Sequence, residues 1–245
     1  VKTKTPPAKQ SDLVEQAFAK LLDVRAAYDS EAGLDKLKRA YLFGRSAHDG
    51  QSRESGEPYF THPLRVAHLL AEMRLDTDTL VTALLHDTVE DCEVTLKDIA
   101  TEFGENVAML VDGVTKLSRL ELQSVDTKQA ENFRKFVLAV GKDIRVLLVK
   151  LADRTHNMQT LKAVSSLEKR RRIATETMEI YAPLAERMGI TRFQTELEDL
   201  SFEILQPEMR DSIISRLEFL AIETESVVPK ICAELQSLLA EKGIL

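Results

Sequence analysis

A chain of 245 residues, 44% of them hydrophobic, can bury a core without a disulfide scaffold, and Cys92 and Cys232 stand far apart with no Cys-x-x-Cys spacing, as two reduced thiols without a role. A net charge of −7 excludes a surface that is one continuous nucleic-acid footprint. No run of about 18 apolar residues occurs, and residues 1–10 carry Lys and Pro without an apolar segment, so neither a membrane span nor a secretory signal is supported and the cytoplasm is the expected compartment.

Gly (9) and Pro (7) are scarce, Trp is absent, and Leu, Ala, Glu, Lys and Arg are abundant, which is the composition of an all-α protein. Apolar residues recur at helical spacing through Leu13, Ala17, Leu21 and Val24, then Leu34, Leu37 and Tyr41. The stretch His48 to Thr61 (HDGQSRESGEPYFT) reads as a loop, and Pro63 sits just inside the start of a helix that continues through Val66, Leu69, Leu70 and Met73. Asp76 caps a helix expected over Thr77 to Glu90, Thr95 and Asp98 form a capping-box pair, and Gly104 stops the next helix. Arg119 to Lys128 is polar and reads as a second loop. The run IRVLLVKL (Ile144 to Leu151) is short enough to fit a buried strand, but it continues into ADRTHNMQTL without a turn signal and is read as helix, which puts Asp153 and Asn157 on one face. From Ser166 onward the pattern is of long amphipathic helices, with a kink at Pro183, a stop at Gly189 and a new start at Pro207. No strand alternation and no fixed repeat stand out.

Chemistry concentrates in three words: YFTHP, LLHDTVED and KLADRTHNM. They supply two imidazoles, His62 and His86, and two carboxylates, Asp87 and Asp153. Neighbouring residues of a helix point about 100° apart, so His86 and Asp87 chelate one ion only if it lies over the edge between them, leaving its other sides to His62 and Asp153. Two nitrogen and two oxygen ligands without thiolate suit an octahedral Mn²⁺ or Fe²⁺ site with open positions better than a closed structural Zn²⁺ site. Taken alone, His62 before a proline reads as a loop or capping residue; His86-Asp87 at the apolar end of a helix is costlier to explain away, because burying an unpaired His-Asp is unfavourable. Glu90 and Asp91 lie one turn beyond, as solvated acids or as groups that act on water. Arg53, the run Lys169 to Arg172, and Lys150 with Arg154 each read as a solvated face alone and together as a pocket for a phosphorylated small molecule.

The words RESGEPYFTHP, LLHDTVED, VDGVTKL, AENFRKF, IRVLLVKLADRTHNM, KRRRIATETMEIYAPLAERMGI and TELEDLSF stand in order from Arg53 to Phe202, and the chain over residues 34–202 resembles the HD-type hydrolase half of the RelA/SpoT family. The resemblance implies a helical HD-domain bundle and a manganese-dependent hydrolase of the stringent response, one that removes the 3′-diphosphate of guanosine tetra- or pentaphosphate, (p)ppGpp, and releases pyrophosphate with GDP or GTP. It places His62, His86, Asp87 and Asp153 at the metal-ligand positions and Glu90 and Asp91 at the water-activating positions. Arg53 and Ser55 match nucleotide-binding loop positions, and Asn157 and Thr160 match a ribose or guanine contact. Glu54 departs from homologues that carry a basic residue after the loop arginine. An alanine at Arg53 is expected to raise KM while leaving metal affinity almost unchanged.

The expected organisation is a tail and first helix over residues 1–33, the hydrolase domain over 34–200, and a helical extension over 201–245 leading toward an absent synthetase domain. The chain reads as an N-terminal fragment that hydrolyses without synthesising, and its regulators or C-terminal domains are further expected partners. Two other readings are weighed: a nucleotide-sensing regulatory module without turnover, and an HD phosphohydrolase for another nucleotide. The complete set of ligand residues disfavours the first, and the words outside the metal site disfavour the second. A membrane partner and direct nucleic-acid binding are not expected.

Overall fold

The computed structural model describes residues 7–28, 31–123, 143–224 and 227–243, and these are helical with no sheet. In chain order the helices are α1 (Pro7–Ala26), α2 (Glu31–Ala47), α3 (Thr61–Glu72), α4 (Thr77–Leu85), the short α5 (Thr88–Asp91), α6 (Leu96–Phe103), α7 (Glu105–Gln123) and α8 (Ile144–Gln159). They are followed by α9 (Leu167–Glu176), α10 (Ala182–Arg187), α11 (Thr191–Leu205), α12 (Pro207–Thr224) and α13 (Val227–Glu241). The helix α3 is packed between α1, α4 and α8, while α4 also meets α2 and α7, and α8 meets α7 and α11. Leu37, Leu64, Leu70, Leu80, Leu84, Leu110 and Phe193 are fully buried where these helices meet. No helix among the described residues is long and apolar enough to cross a membrane.

The start and stop signals act as their chemistry requires. Asp76 accepts the Thr79 amide at the start of α4, Thr95 and Asp98 form a reciprocal capping box on α6, and Asp143 and Ser166 cap α8 and α9. Gly104 and Gly189 end their helices at φ 93° and φ 69°, where a side chain would be strained.

Three expectations change. The helix read over Thr77 to Glu90 breaks at His86 and Asp87. There His86 Nδ1 lies 2.8 Å from the Ala83 carbonyl and the Thr88 hydroxyl donates to Leu85 O at 2.7 Å, so side chains take acceptors that a continuing ladder would use. The loop read at Arg119 to Lys128 is helical in its first part, because α7 runs to Gln123; residues 124–128, like AENFRKF, lie outside the described residues. The interruption at Pro183 takes the form of a π turn over Thr177–Tyr181, in which the Ala182 amide reaches back to Thr177 O.

Gly44 of α2 lets the two ligand-bearing segments close on each other. A Cβ there would lie 2.5 Å from Phe60 Cε2 and 3.1 Å from the Leu84 carbonyl. The Phe60 ring cannot swing aside, since Tyr41 and His48 flank it at centroid distances of 5.9 and 6.0 Å. Gly44→Ala is therefore expected to destabilise the fold by about 1–3 kcal/mol, the usual cost of overpacking, read as a lower urea midpoint with an unchanged slope. A midpoint equal to that of the parent chain would contradict this packing.

Candidate metal centre

Three helical segments deliver four ligand candidates to one point. The first turn of α3 carries His62, the break between α4 and α5 carries His86 and Asp87, and the middle of α8 carries Asp153. His62 Nε2 lies 3.1 Å from Asp153 Oδ1 and 3.7 Å from Asp87 Oδ2, and His86 Nε2 lies 3.0 Å from Asp87 Oδ1 and 3.9 Å from Asp153 Oδ1. His62, His86 and Asp87 form a cluster with the mutual spacing of a cation site, and both imidazoles are buried.

A test of fit lies in His86. A backbone carbonyl only accepts, so the contact with Ala83 O makes Nδ1 the N–H and leaves the lone pair on Nε2. That Nε2 is buried without a hydrogen-bond partner, although a carboxylate oxygen stands 3.0 Å away. Two acceptors facing each other are unfavourable until a cation lies between them, so the donor set fits a divalent metal.

The surroundings set the charges. For Asp153, burial raises the carboxyl pKa, but Lys150, whose ammonium is 2.8 Å away, and the imidazoles of His62 and His86 outweigh it and hold the group well below the usual carboxylate range. Burial lowers His62 against the pull of Asp153 and Asp87. His156, whose Nδ1 lies 2.7 Å from His62 Nδ1, is lowered to about 3 by burial and by the nearby His62 and Arg53. Tyr59 hydrogen bonds to Asp87 Oδ2 at 2.9 Å and to Asp91 Oδ2 at 2.8 Å. Burial, then the Asp87 charge, pushes its phenol far above the usual range, so it remains a donor between the two carboxylates. Partial desolvation and the Asp87 charge likewise raise Glu90, with Lys150 opposing.

Beside the cluster lies a cleft of about 580 Å³ that contains all four sequence candidates for substrate contacts: Arg53, Ser55, Asn157 and Thr160. Lys150, Arg154, Lys169 and Arg172 add positive charge to its wall. Glu54, the departure noted in the loop, pairs with Lys169 of α9 at 3.0 Å, so its charge is met from across the cleft. Arg154 pairs with Glu176 at 3.1 Å and lies 4.1 Å over the Tyr181 ring. The Thr160 hydroxyl donates to the last carbonyls of α8, leaving its oxygen lone pairs for the cleft.

Two residues escaped the sequence reading. Tyr59, which joins Asp87 to Asp91, and His156, which touches His62, both stand inside quoted words, but no spacing rule marks either. Their roles come from partners on other elements.

The HD domain family model matches residues 40–191. The chain is 49% identical over 227 residues to a Vibrio cholerae protein named guanosine-3′,5′-bis(diphosphate) 3′-pyrophosphohydrolase, covering 93% of this chain and 32% of that protein. It is 48% identical over 227 residues to the Escherichia coli protein named bifunctional (p)ppGpp synthase/hydrolase SpoT, with the same coverage of 93% and 32%. A Myxococcus xanthus protein named GTP pyrophosphokinase is 50% identical over 220 residues, covering 89% of this chain and 29% of that protein. The chain thus spans about a third of the length of these relatives.

Proposed function

Because the chain belongs to the HD-domain family and is homologous to the hydrolase domain of RelA/SpoT proteins, we propose that it hydrolyses the 3′-diphosphate of (p)ppGpp, releasing pyrophosphate with GDP or GTP. One observation carries the reading: three side chains that line the cleft are hydrogen bonded to the ligand candidates. Tyr59 reaches Asp87, and Lys150 and Asn157 reach Asp153 at 2.8 and 2.6 Å. A phosphoryl group in this cleft therefore lies beside the metal centre.

In this proposal His62, His86, Asp87 and Asp153 hold Mn²⁺, an ion suited to two imidazoles, two carboxylates and exchangeable positions and the one that the family resemblance implies. The cation, when bound, supplies Lewis-acid polarisation of the phosphoryl group and of the attacking water. Arg53 and Ser55 from the loop, with Asn157 and Thr160 from α8, hold the nucleoside part, and the basic wall meets the phosphates. Glu90 or Asp91 takes the proton from the water that attacks the 3′-phosphorus, and the bond from that phosphorus to the ribose 3′-oxygen breaks. The ribose oxygen leaves with a proton and the diphosphate leaves as pyrophosphate.

The setting is cytoplasmic stringent-response signalling, with the nucleotide as partner. We assign residues 34–200 to the hydrolase unit. Residues 201–245 form an extension toward another domain, a role supported by the exposed apolar side chains Met209, Ile213, Leu217 and Leu220 on α12.

The test is direct. Pure protein with ppGpp and Mn²⁺ is expected to yield GDP and pyrophosphate, and EDTA is expected to stop the reaction. Intact nucleotide bound tightly in the presence of metal would favour a sensing module instead. Full turnover in exhaustively metal-free protein would overturn the metal assignment.

A further inference from the structure

Arg53 has two contacts that a nucleotide-binding role does not require. Its Nη1 lies 3.2 Å from His156 Nδ1 and its Nη2 donates to Asn157 Oδ1 at 2.8 Å. Each of those residues touches a ligand candidate: His156 Nδ1 is 2.7 Å from His62 Nδ1, and Asn157 Nδ2 donates to Asp153 Oδ1 at 2.6 Å. One guanidinium on the loop thus stands behind two of the four ligands, on different helices.

The chemistry of the chain of contacts fixes its direction. A guanidinium only donates, so His156 Nδ1 must present its lone pair to Arg53. A bare nitrogen on His62 Nδ1, 2.7 Å away, would face that lone pair unfavourably, so His62 Nδ1 carries the hydrogen and shares the His156 lone pair with the Arg53 N–H in a three-centre contact. The lone pair of His62 is left on Nε2, which points at the ligand cluster. On the other branch Arg53 holds the Asn157 carbonyl oxygen, which aims the amide N–H groups at Asp153.

We propose that Arg53 is a positioning residue for the metal centre, setting the tautomer of His62 through His156 and the orientation of Asp153 through Asn157, so that metal retention depends on the loop being seated. Without Arg53 the opposite tautomer becomes available. His156 Nδ1–H then donates to His62 Nδ1, and His62 Nε2–H donates to Asp153 Oδ1, 3.1 Å away, which occupies two ligands with each other. This reverses the expectation that Arg53→Ala leaves metal affinity almost unchanged. The inference rests on the metal reading above and is independent of which nucleotide is hydrolysed.

The experiment uses the whole chain labelled with ¹⁵N-histidine. In metal-free protein, long-range proton–nitrogen spectra are expected to show His62 protonated on Nδ1, and Arg53→Ala is expected to move it toward Nε2. Mn²⁺ titration by electron paramagnetic resonance should show affinity weakened by about 10- to 100-fold in Arg53→Ala, the usual cost of losing an outer partner of a metal ligand. Arg53→Lys, which keeps charge but cannot span both partners, should lie in between. Val164→Ala, in the same cleft wall but outside the relay, should bind Mn²⁺ like the parent. Parent-like His62 tautomer and Mn²⁺ affinity in Arg53→Ala would overturn the relay. Failure of the parent to cleave ppGpp while binding Mn²⁺ would instead sink the alarmone reading and leave the relay result standing.

Discussion

Alanine at His86 or at Asp87 is expected to remove metal binding and activity together. Each would delete one of four candidate donors to the ion, and the remaining pair, His62 and Asp153, already lie 3.1 Å from each other with no further carboxylate or imidazole among the candidates to take the vacated place. His86 is the stricter case. Its Nδ1 is tied to the Ala83 carbonyl in the break that ends α4, so the ring is held with Nε2 toward the cluster by the backbone that carries it. Removing Asp87 also takes one of the two carboxylates from the Tyr59 hydroxyl and leaves the other, Asp91. Losing Lewis-acid stabilisation worth about 4 kcal/mol or more corresponds to about 10³-fold or more in kcat/KM, at about 1.4 kcal/mol per decade. Mn²⁺ titration and turnover would be measured on the same preparations, with circular dichroism to establish folding. A folded variant of either kind that bound Mn²⁺ with parent affinity would remove that residue from the ligand set.

The helices were legible because burial imposes a period, and the period survives in the order of residues. The run Ile144 to Leu151 shows where this works: a strand would have needed a turn after it, whereas the polar residues that follow continue the helical face, and Asn157 reaches Asp153 four residues back. Periodicity has no access to side chains that donate into their own helix. The pattern of Thr77 to Glu90 is continuous, but the ladder is broken by His86 and Thr88, and that break orients the His-Asp pair. The residue types suited to a metal are readable from chemistry, yet the convergence of the candidates is a property of packing: His62 and Asp153 are brought to 3.1 Å by α3 lying against α8. Partners separated along the chain were not readable at all. Glu54, a departure from the family's loop pattern, is met by Lys169 from another helix, and Tyr59 takes its place from two carboxylates that meet at its hydroxyl.

Conservative amides at the second carboxylate pair are expected to separate water activation from metal binding. Asp91 is one turn beyond the ligands, and its Oδ2 accepts the Tyr59 hydroxyl, so the side chain is oriented without needing the ion. Asparagine at this position can still accept that hydrogen bond through its carbonyl oxygen but cannot accept a proton. Mn²⁺ affinity should therefore stay close to the parent value while kcat falls by about 10²- to 10⁴-fold, the range for loss of a general base. Glu90→Gln is the competing case. Desolvation and the Asp87 charge push the Glu90 carboxyl upward, toward the range of a general base, whereas Asp91 is held in place by the Tyr59 hydroxyl. The larger kcat loss then identifies the base, and comparable losses indicate that both carboxylates handle the proton in turn. Parent-like kcat in both Asp91→Asn and Glu90→Gln, with metal bound, would reduce the pair to a solvated helix face and leave the proposed hydrolysis without a proton acceptor.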